Sequence, residues 1–441
     1  MKRLIISLAC ITTLLTSLFL FKEILKNQSK KRILIVSPFS LDEYHGDNLS
    51  GSHNFQLVDH NFKPNKDLNY HIDECIKQVK ENHAIGIYSS RDYLGNLVSC
   101  LVANKLGLPG PSPQAILTCH HKYYSRLAQQ QYVPEACPPF QLIDPKNINR
   151  EDIKLSFPLF VKPVKSYFSM YAQKVDSFKE LQQLAPKLMP SNEFLEPINQ
   201  ALKQYSNYPL SANYLIAEEL LSEKQVTIEG YIYKEQPYIL GVTDSIMYPG
   251  TMSFERFQYP SSLPQAVQDR MADIAVRLMK GINFDNAFFN IEYFYNHKDN
   301  SIKIIEVNPR SVAQFADLYE RVDGTNSYQL LINLAAGKEP QPTRGKGEFN
   351  YSASCALRVF EDQFITKTPT LIHRCHARAV FPDAHIRIFA KERQKLSESI
   401  QDGKSFMYAV INLGGDSSND LKRRLHLCKQ LLPFNPTLLT S

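Results

Sequence analysis

Short apolar runs and amphipathic stretches alternate along the first part of the chain. Apolar runs occupy residues 31–38 and 84–90, and the first ends at Ser37-Pro38. Such runs are typical of buried parallel strands. After the second run, a helical stretch at residues 94–106 stops at Gly107, a residue that commonly follows a helix C-terminus. This order of elements predicts a doubly wound α/β domain.

From residue 157 the pattern changes to antiparallel pairs. The predicted strands are residues 158–163, 172–175, 214–220, 227–233 and 237–243, and the predicted helices are residues 178–189 and 266–280. The second helix has apolar residues at 267, 271, 274, 275 and 278, the period of an amphipathic helix. Residues 289–295 and 302–308 form one more predicted strand pair. We therefore expect an α+β region to follow the α/β domain.

This last hairpin concentrates oxygen-bearing side chains. Pairing centred on Asp299 places Glu292 opposite Glu306, with Asn308 on the same face of its strand as Glu306. Two carboxylates that face each other repel, so their pairing favours a cation between them. Hard oxygen ligands suit Mg²⁺ that carries nucleotide phosphates. The alternative is a solvated acidic face.

Residues 306–310, Glu-Val-Asn-Pro-Arg, together with Glu292 upstream, resemble the metal-binding signature of the ATP-grasp superfamily. The resemblance implies that Glu292, Glu306 and Asn308 hold Mg²⁺, or Mn²⁺ as the alternative ion, against the triphosphate of ATP. It also implies a catalytic role for Arg310, which would steady the transferred phosphate or an acyl phosphate.

Other segments resemble the family in the same order. Residues 107–112 followed by Lys122 are similar to the lead-in to the first nucleotide lysine, and residues 157–163 are similar to the strand that carries the second, Lys162. A charge on a flexible stem suits mobile phosphates.

Residues 216–221 resemble the hinge at which backbone groups contact adenine and an acidic side chain lies near the ribose. Residues 225–230 resemble the next strand, in which alternate residues face the nucleotide. The resulting candidates for contact with ATP are Lys122, Lys162, Glu218, Glu219, Leu221 and Glu229.

One segment departs from the family. The family usually closes a glycine-rich loop over the phosphates, whereas residues 164–170 contain no glycine. Ser166, Ser169 and Lys165 remain as groups that could contact phosphate. We expect this departure to affect the catalytic rate more than the fold.

The resemblance covers residues 33–435 and implies a doubly wound pre-ATP-grasp domain followed by a two-lobed ATP-grasp domain. The predicted divisions are 1–32, a membrane anchor or signal segment; 33–118, a pre-ATP-grasp Rossmann-like domain; 119–212, ATP-grasp lobe A; 213–345, lobe B; and 346–441, a C-terminal capping region.

The implied reaction activates a small-molecule carboxylate with ATP and joins it to an amine. Residues 241–244 and 257–264 are similar to carboxylate-amine ligases related to amino-acid ligases. Residues 248–259 are either the acceptor side of the site or an ordinary surface loop. Two alternatives stay open: a membrane-tethered nucleotide-binding module with little turnover, and a bicarbonate-activating enzyme like biotin carboxylase.

The net charge of +6 resides in residues 1–32, so the rest of the chain is neutral. A neutral body without a basic run argues against nucleic-acid binding. The oligomeric state is left open by the sequence.

Residues 4–21 are uncharged and would span roughly 27 Å as a helix, enough to cross a bilayer. More positive charge follows this segment than precedes it. The positive-inside rule then predicts a single-pass anchor in the inner or cytoplasmic membrane, with the catalytic body facing the cytosol. The alternative is a cleaved signal and secretion.

The segment His373-Arg374-Cys375-His376 contains potential metal ligands. It lacks a second half at ligand spacing, so a polar strand or loop is the favoured interpretation.

Overall fold

The computed structural model describes residues 31–38, 55–62, 66–166, 170–399 and 405–436. The apolar segment of residues 4–21, on which the membrane prediction depends, lies outside these ranges. Within them, no helix is both long and apolar enough to cross a membrane.

In the described part of the chain, the first domain is built on three parallel strands. In the order β2-β1-β3, they are β1 (Lys31–Val36), β2 (Phe55–His60) and β3 (Ala84–Tyr88). The helices α1 (Leu68–Glu81) and α2 (Leu97–Leu106) follow β2 and β3, and an irregular turn at Asp92–Asn96, in which Tyr93 is extended, precedes α2. Side chains alternate along β1, so Leu34 packs with α1 and α2 while Ile33 belongs to the core on the other face. The predicted α/β start of the chain is confirmed.

Two helices connect this domain to the predicted nucleotide lysines. The helix α3 (Pro113–His120) begins after Ser112, whose hydroxyl accepts a hydrogen bond from the backbone N–H of Ala115. The helix α4 (Lys122–Tyr132) begins at the first predicted lysine itself.

A small antiparallel sheet carries the second lysine. Its strands are β4 (Phe140–Ile143), β5 (Leu159–Pro163), β6 (Gln173–Val175) and β7 (Leu215–Glu219), in the order β4-β7-β5-β6. The helices α5 (Phe178–Leu184) and α6 (Asn192–Tyr205) lie between β6 and β7. Leu159 and Val161 enter the core that this sheet shares with α5. Lys162 therefore lies on the opposite face, because side chains alternate along a strand.

A sheet that has eight strands in the described part of the chain forms the second lobe, in the order β12-β11-β8-β9-β10-β13-β17-β15. These strands are β8 (Lys224–Tyr233), β9 (Gln236–Met247), β10 (Phe254–Tyr259), β11 (Ala287–Asn296), β12 (Ser301–Asn308), β13 (Tyr351–Val359), β15 (His385–Ile388) and β17 (Phe406–Gly415); β14 (Phe364–Ile365) and β16 (Gln394–Lys395) pair separately. The helix α7 (Gln265–Gly281) packs on this sheet through the apolar positions predicted from the sequence, which are all buried.

A glycine allows the two domains to approach closely. The helices α8 (Ala316–Asp323) and α9 (Ser327–Ala335) follow the acidic hairpin, and α9 covers the free face of the first sheet. A Cβ atom added to Gly86 in β3 would lie 2.0 Å from the carbonyl oxygen of Ala335. This contact fixes the first domain against the lobe that carries the hairpin.

The C-terminal residues extend the large sheet through β13, β15 and β17, whereas β7 of the hinge pairs in the small sheet. The domain boundaries stay predictions. The helix α11 (Ser418–Gln430) packs against β17, and short 3-10 helices lie at Pro134–Ala136, Arg150–Asp152, Ala185–Leu188, Ala313–Phe315 and Leu396–Glu398.

One local prediction is wrong. Residues 373–376 lie in a helix, α10 (Leu371–Val380), and not in a strand or loop. Thr370 and His373 explain the difference, because their side chains and backbone N–H groups form a reciprocal capping box at the helix start.

Candidate active site

The acidic hairpin brings its predicted ligands together. Glu292 pairs with Glu306 across β11 and β12, and Asn290 pairs with Asn308. A bulge between Glu292 and Tyr293 is essential for this register, because the strands also pair Asn296 with Ser301 at the turn. Without the bulge, Glu292 would oppose Ile305. The bulge thus re-aims one carboxylate toward the other, as bulges beside active sites do.

The electrostatics of this pair suit a divalent cation. Burial and the neighbouring Glu306 raise the pKa of Glu292 to about 7. Asn308 donates a hydrogen bond to Oε1 of Glu292 at 3.4 Å, which places its amide beside the carboxylates. In the described part of the chain, no group of three or more His, Cys, Asp or Glu side chains is arranged for a metal. Two carboxylates and one amide oxygen fit Mg²⁺, which usually keeps several waters or phosphate oxygens as its other ligands.

Lys122 joins the hairpin from the helix side. Its Nζ lies 2.7 Å from Oε1 of Glu306, and its backbone N–H donates to the carbonyl of Val164 at 2.8 Å. Although burial opposes ionisation, Lys122 and Lys162 lower the pKa of Glu306. The first predicted lysine therefore contacts the predicted metal site and the end of the strand that carries the second lysine.

Lys162 lies in a buried charge network of the small sheet. Its Nζ is 2.8 Å from Oε2 of Glu218, and Nε of Arg126 is 2.8 Å from Oε1 of the same carboxylate. Burial opposes the ionisation of Glu218, but the two cations prevail and lower its pKa to about 2. Glu218 therefore positions Lys162 in this structure, and its predicted contact with ATP stays a prediction.

Arg126 is a residue that the sequence analysis missed. It is 2% exposed and also donates to Gln129 and, at 2.8 Å, to the carbonyl of Ile305 beside Glu306. A signal existed, because polar residues recur at the helical spacing 122, 125, 126 and 129 on α4, and the structure buries all four.

The hinge residues occupy the end of β7. Glu219 is exposed, its N–H donates to the carbonyl of Pro139 at 3.1 Å, and Leu221 follows the strand. The backbone contacts predicted between adenine and these two residues stay predictions.

Glu229 lies in the protein interior and not at the surface of an open pocket. It is completely buried on β8, and its Oε1 accepts a hydrogen bond of 2.7 Å from the N–H of Val312. Burial raises the pKa of Glu229 to about 8, against the hydrogen bond from Val312 and the charge of Arg310. Glu229 therefore supports the turn that follows the acidic hairpin, and its contact with nucleotide stays a prediction.

Arg310 extends from this turn toward the first domain. It lines a cleft together with Ser89, Asn96 and Ser311. Burial opposes the ionisation of Asp92 in the first domain, but nearby cations, Lys165 foremost and Arg310 among them, lower its pKa. The predicted catalytic arginine thus lies where the first domain meets the end of the hairpin.

The same junction holds a buried cluster that the sequence analysis did not assign. Lys165, from the glycine-free segment, lies 3.0 Å from Nδ1 of His120 and 3.6 Å from Oδ2 of Asp92. Ser166 is also buried, while Ser169 lies outside the described residues.

Comparison with known proteins agrees with this geometry. Residues 155–317 match the family model of the ATP-grasp domain. The chain is 22% identical over 249 residues to the carbamoyl phosphate synthase large chain of Thermoanaerobacter sp. (strain X514), a match that covers 55% of this chain and 21% of that protein. The chain thus spans about a fifth of the length of the curated relatives that it matches.

Solved structures share the fold over nearly the whole chain. The L-amino acid ligase from Bacillus licheniformis has a TM-score of 0.68 at 15% identity, and the match covers 92% of this chain and 98% of that chain. The biotin carboxylase domain of the Hydrogenobacter thermophilus 2-oxoglutarate carboxylase, in complex with MgADP, ADP and bicarbonate, has a TM-score of 0.65 at 13% identity, covering 91% and 90%. The chain therefore contains an ATP-grasp domain at residues 155–317, and it shares the fold of these solved structures over about nine-tenths of its length.

Proposed function

We propose that this protein is an ATP-dependent ligase that converts a carboxylate into an acyl phosphate and couples it to an amine, releasing ADP and phosphate. The observation that carries the proposal is the contact between Lys122 and Glu306, 2.7 Å apart, which joins the first predicted nucleotide lysine to the predicted magnesium ligands.

The side chains have complementary roles. Lys122 and Lys162 neutralise the phosphates of ATP, and Arg310 stabilises the charge of the transferred phosphoryl group. Glu292, Glu306 and Asn308 would hold Mg²⁺, which neutralises charge on the phosphate oxygens. Phosphoryl transfer depends chiefly on positioning and charge neutralisation. A site of lysines, an arginine and magnesium ligands therefore suits this reaction without a dedicated acid-base pair.

The cleft beside Arg310 supports a position for the acceptor at the junction of the two domains. It is lined by Ser89 and Asn96 from the first domain and by Arg310 and Ser311 from the hairpin turn. Residues 248–259, the segment considered for this role from the sequence, contain strand β10 and a buried Arg256. Strand pairing leaves this segment less suited to bind a substrate than the cleft.

The test is substrate-dependent phosphate release. The purified chain is incubated with ATP, Mg²⁺ and mixtures of amino acids or dicarboxylates, and products are identified by mass spectrometry. We expect ADP, phosphate and an amide in equal amounts, abolished by Glu306→Ala and retained by Asp299→Asn in the exposed hairpin turn. Normal ATP binding without phosphate release under any mixture would refute the ligase and favour the nucleotide-binding module.

A second incubation, with bicarbonate, tests the alternative of a bicarbonate-activating enzyme. The similar biotin carboxylase domain was solved with bicarbonate, so bicarbonate is included without an amine. Phosphate release that depends on bicarbonate alone would favour carboxylation over amide formation as the reaction of this protein.

The location of the protein is a separate proposal. We infer from residues 4–21 that the chain is held at a membrane. After an alkaline wash, the full chain should remain with the membranes, and a chain lacking residues 1–30 should be released. Release of both chains would contradict an anchor.

A further inference from the structure

A chain of hydrogen bonds connects Lys165, which follows strand β5, to the turn after the acidic hairpin. Lys165 Nζ lies 3.0 Å from His120 Nδ1, His120 Nε2 lies 3.2 Å from Asn96 Oδ1, and Asn96 Nδ2 lies 2.9 Å from the carbonyl of Pro309. Lys165, His120 and Asn96 are 2%, 2% and 8% exposed. Four segments that are distant in sequence are thereby joined at one buried place.

Protonation of Lys165 sets the direction of each bond. A protonated lysine can only donate, so Nδ1 of His120, which also lies 3.4 Å from Oδ1 of Asp92, accepts from Lys165, and the ring proton is then on Nε2. That proton is donated to Asn96 Oδ1, and the amide nitrogen of Asn96 then donates to the proline carbonyl. Burial and the charge of Lys165 lower the pKa of His120 to about 3, consistent with a neutral ring.

Neighbouring groups hold Lys165 at the start of this chain. Oδ2 of Asp92 is 3.6 Å from its Nζ, and the Tyr93 ring centroid is 4.9 Å away. The opposite end of the chain is the carbonyl immediately before Arg310. One end thus lies in the segment that the sequence indicated for contact with phosphate, and the other end adjoins Arg310.

We propose that His120 and Asn96 are positioning residues, through which the first domain sets the relative placement of Lys165 and the Pro309-Arg310 turn. The proposal rests on the proposed ligase function for its kinetic consequence. The hydrogen-bonded chain would fix the distance between Lys165 and the turn. The prepositioned charge of Lys165 would then take over part of the role of the family's glycine-rich loop, whose backbone closes over the phosphates.

The kinetic test compares variants that break and restore the chain. His120→Phe removes both hydrogen bonds of the ring. Asn96→Asp can still accept from His120, but it places a second acceptor against the carbonyl of Pro309. His120→Gln restores the chain, because its amide oxygen can accept from Lys165 and its amide N–H can donate to Asn96. Thr118→Val is the matched control, because it removes side-chain hydrogen bonds to Gln114 and Tyr208 at a buried position on the same helix as His120 but leaves the chain intact.

We expect kcat to fall by about tenfold or more in His120→Phe and Asn96→Asp, because small displacements are costly for transfer, with KM for ATP nearly unchanged. The kcat of the double variant, His120→Phe with Asn96→Asp, should be no lower than that of the slower single variant, since both substitutions break the same chain. His120→Gln should recover most of kcat, and Thr118→Val should match the wild type. Additive losses, or a folded His120→Gln that is as slow as His120→Phe, would overturn the proposal.

Hydrogen exchange keeps the test independent of turnover and of any single variant that fails to fold. The N–H of Val312, hydrogen-bonded to Glu229, should exchange faster in Asn96→Asp than in the wild type or Thr118→Val. Unchanged exchange at residues 311 and 312 would overturn the proposal. A wild type without phosphate release would instead refute the ligase function and leave this comparison valid.

Discussion

Substitution Glu229→Gln should stabilise the fold at neutral and alkaline pH. The carboxyl group is completely buried, and burial raises its pKa from the ordinary value of 4.5 to about 8. Because the folded pKa lies above the unfolded one, the protonated group favours the fold. Its contribution is complete below pH 4.5 and is lost as the pH rises through 8. Glutamine keeps an oxygen for the N–H of Val312 but cannot ionise.

The magnitude follows from the shift of the pKa. Each pKa unit corresponds to about 1.4 kcal/mol, so the penalty for the ionised carboxylate approaches about 5 kcal/mol above pH 8. Between pH 5 and pH 8, the free energy of unfolding of the wild type should fall by about 3.5 kcal/mol relative to Glu229→Gln. Titration of all other groups cancels in this difference.

Urea unfolding followed by circular dichroism measures the effect, since the chain contains no tryptophan. Both proteins are unfolded at pH 5, 6, 7 and 8, and their unfolding free energies are subtracted at each pH. Glu235→Gln, at an exposed position in the turn after β8, is the control and should follow the wild type. Parallel curves for the wild type and Glu229→Gln would refute the assignment of a raised pKa to this buried carboxyl group.

Three other substitutions test separate parts of the structure. Glu306→Gln should reduce magnesium-dependent ATP turnover by about a hundredfold or more in a phosphate-release assay, because it weakens a ligand and the bond to a lysine, whereas Asp299→Asn should not. Glu218→Gln should lower the unfolding free energy by about 3–5 kcal/mol in urea, because it leaves buried cations without their counter-ion. Gly86→Ala should lower the melting temperature by several degrees, because its Cβ would meet the carbonyl of Ala335 at 2.0 Å; an unchanged melting curve would contradict the close domain contact.

The hairpin shows how far local patterns can predict a site. Its strands and the pairing of Glu292 with Glu306 follow from period-two alternation and a short turn. The bulge that makes the pairing compatible with the turn could not be predicted, because nothing in the alternating pattern marks the extra residue between Ile304 and Glu306. The predicted register is confirmed, although its symmetry about Asp299 is interrupted by the bulge.

Long-range contacts are the part that the sequence could not predict. Lys165 and His120 are 45 residues apart, and Asn96 is 213 residues from Pro309. No periodicity relates such positions, since only the packing of separate parts of the fold against one another brings them together. The prediction of a strand or loop at residues 373–376 was wrong for a different reason. The capping box at Thr370 starts a helix there, although the composition is typical of loops.

Transfer of labelled oxygen tests acyl-phosphate formation most directly. Amino acids and dicarboxylates carrying ¹⁸O in their carboxyl groups are incubated with the full chain, ATP and Mg²⁺, and the released phosphate is analysed by mass spectrometry. Attack of the carboxylate on the γ-phosphate, followed by displacement by the amine, transfers one labelled oxygen to each phosphate released with product. The account predicts phosphate that carries one labelled oxygen. Unlabelled phosphate released together with an amide product would contradict it.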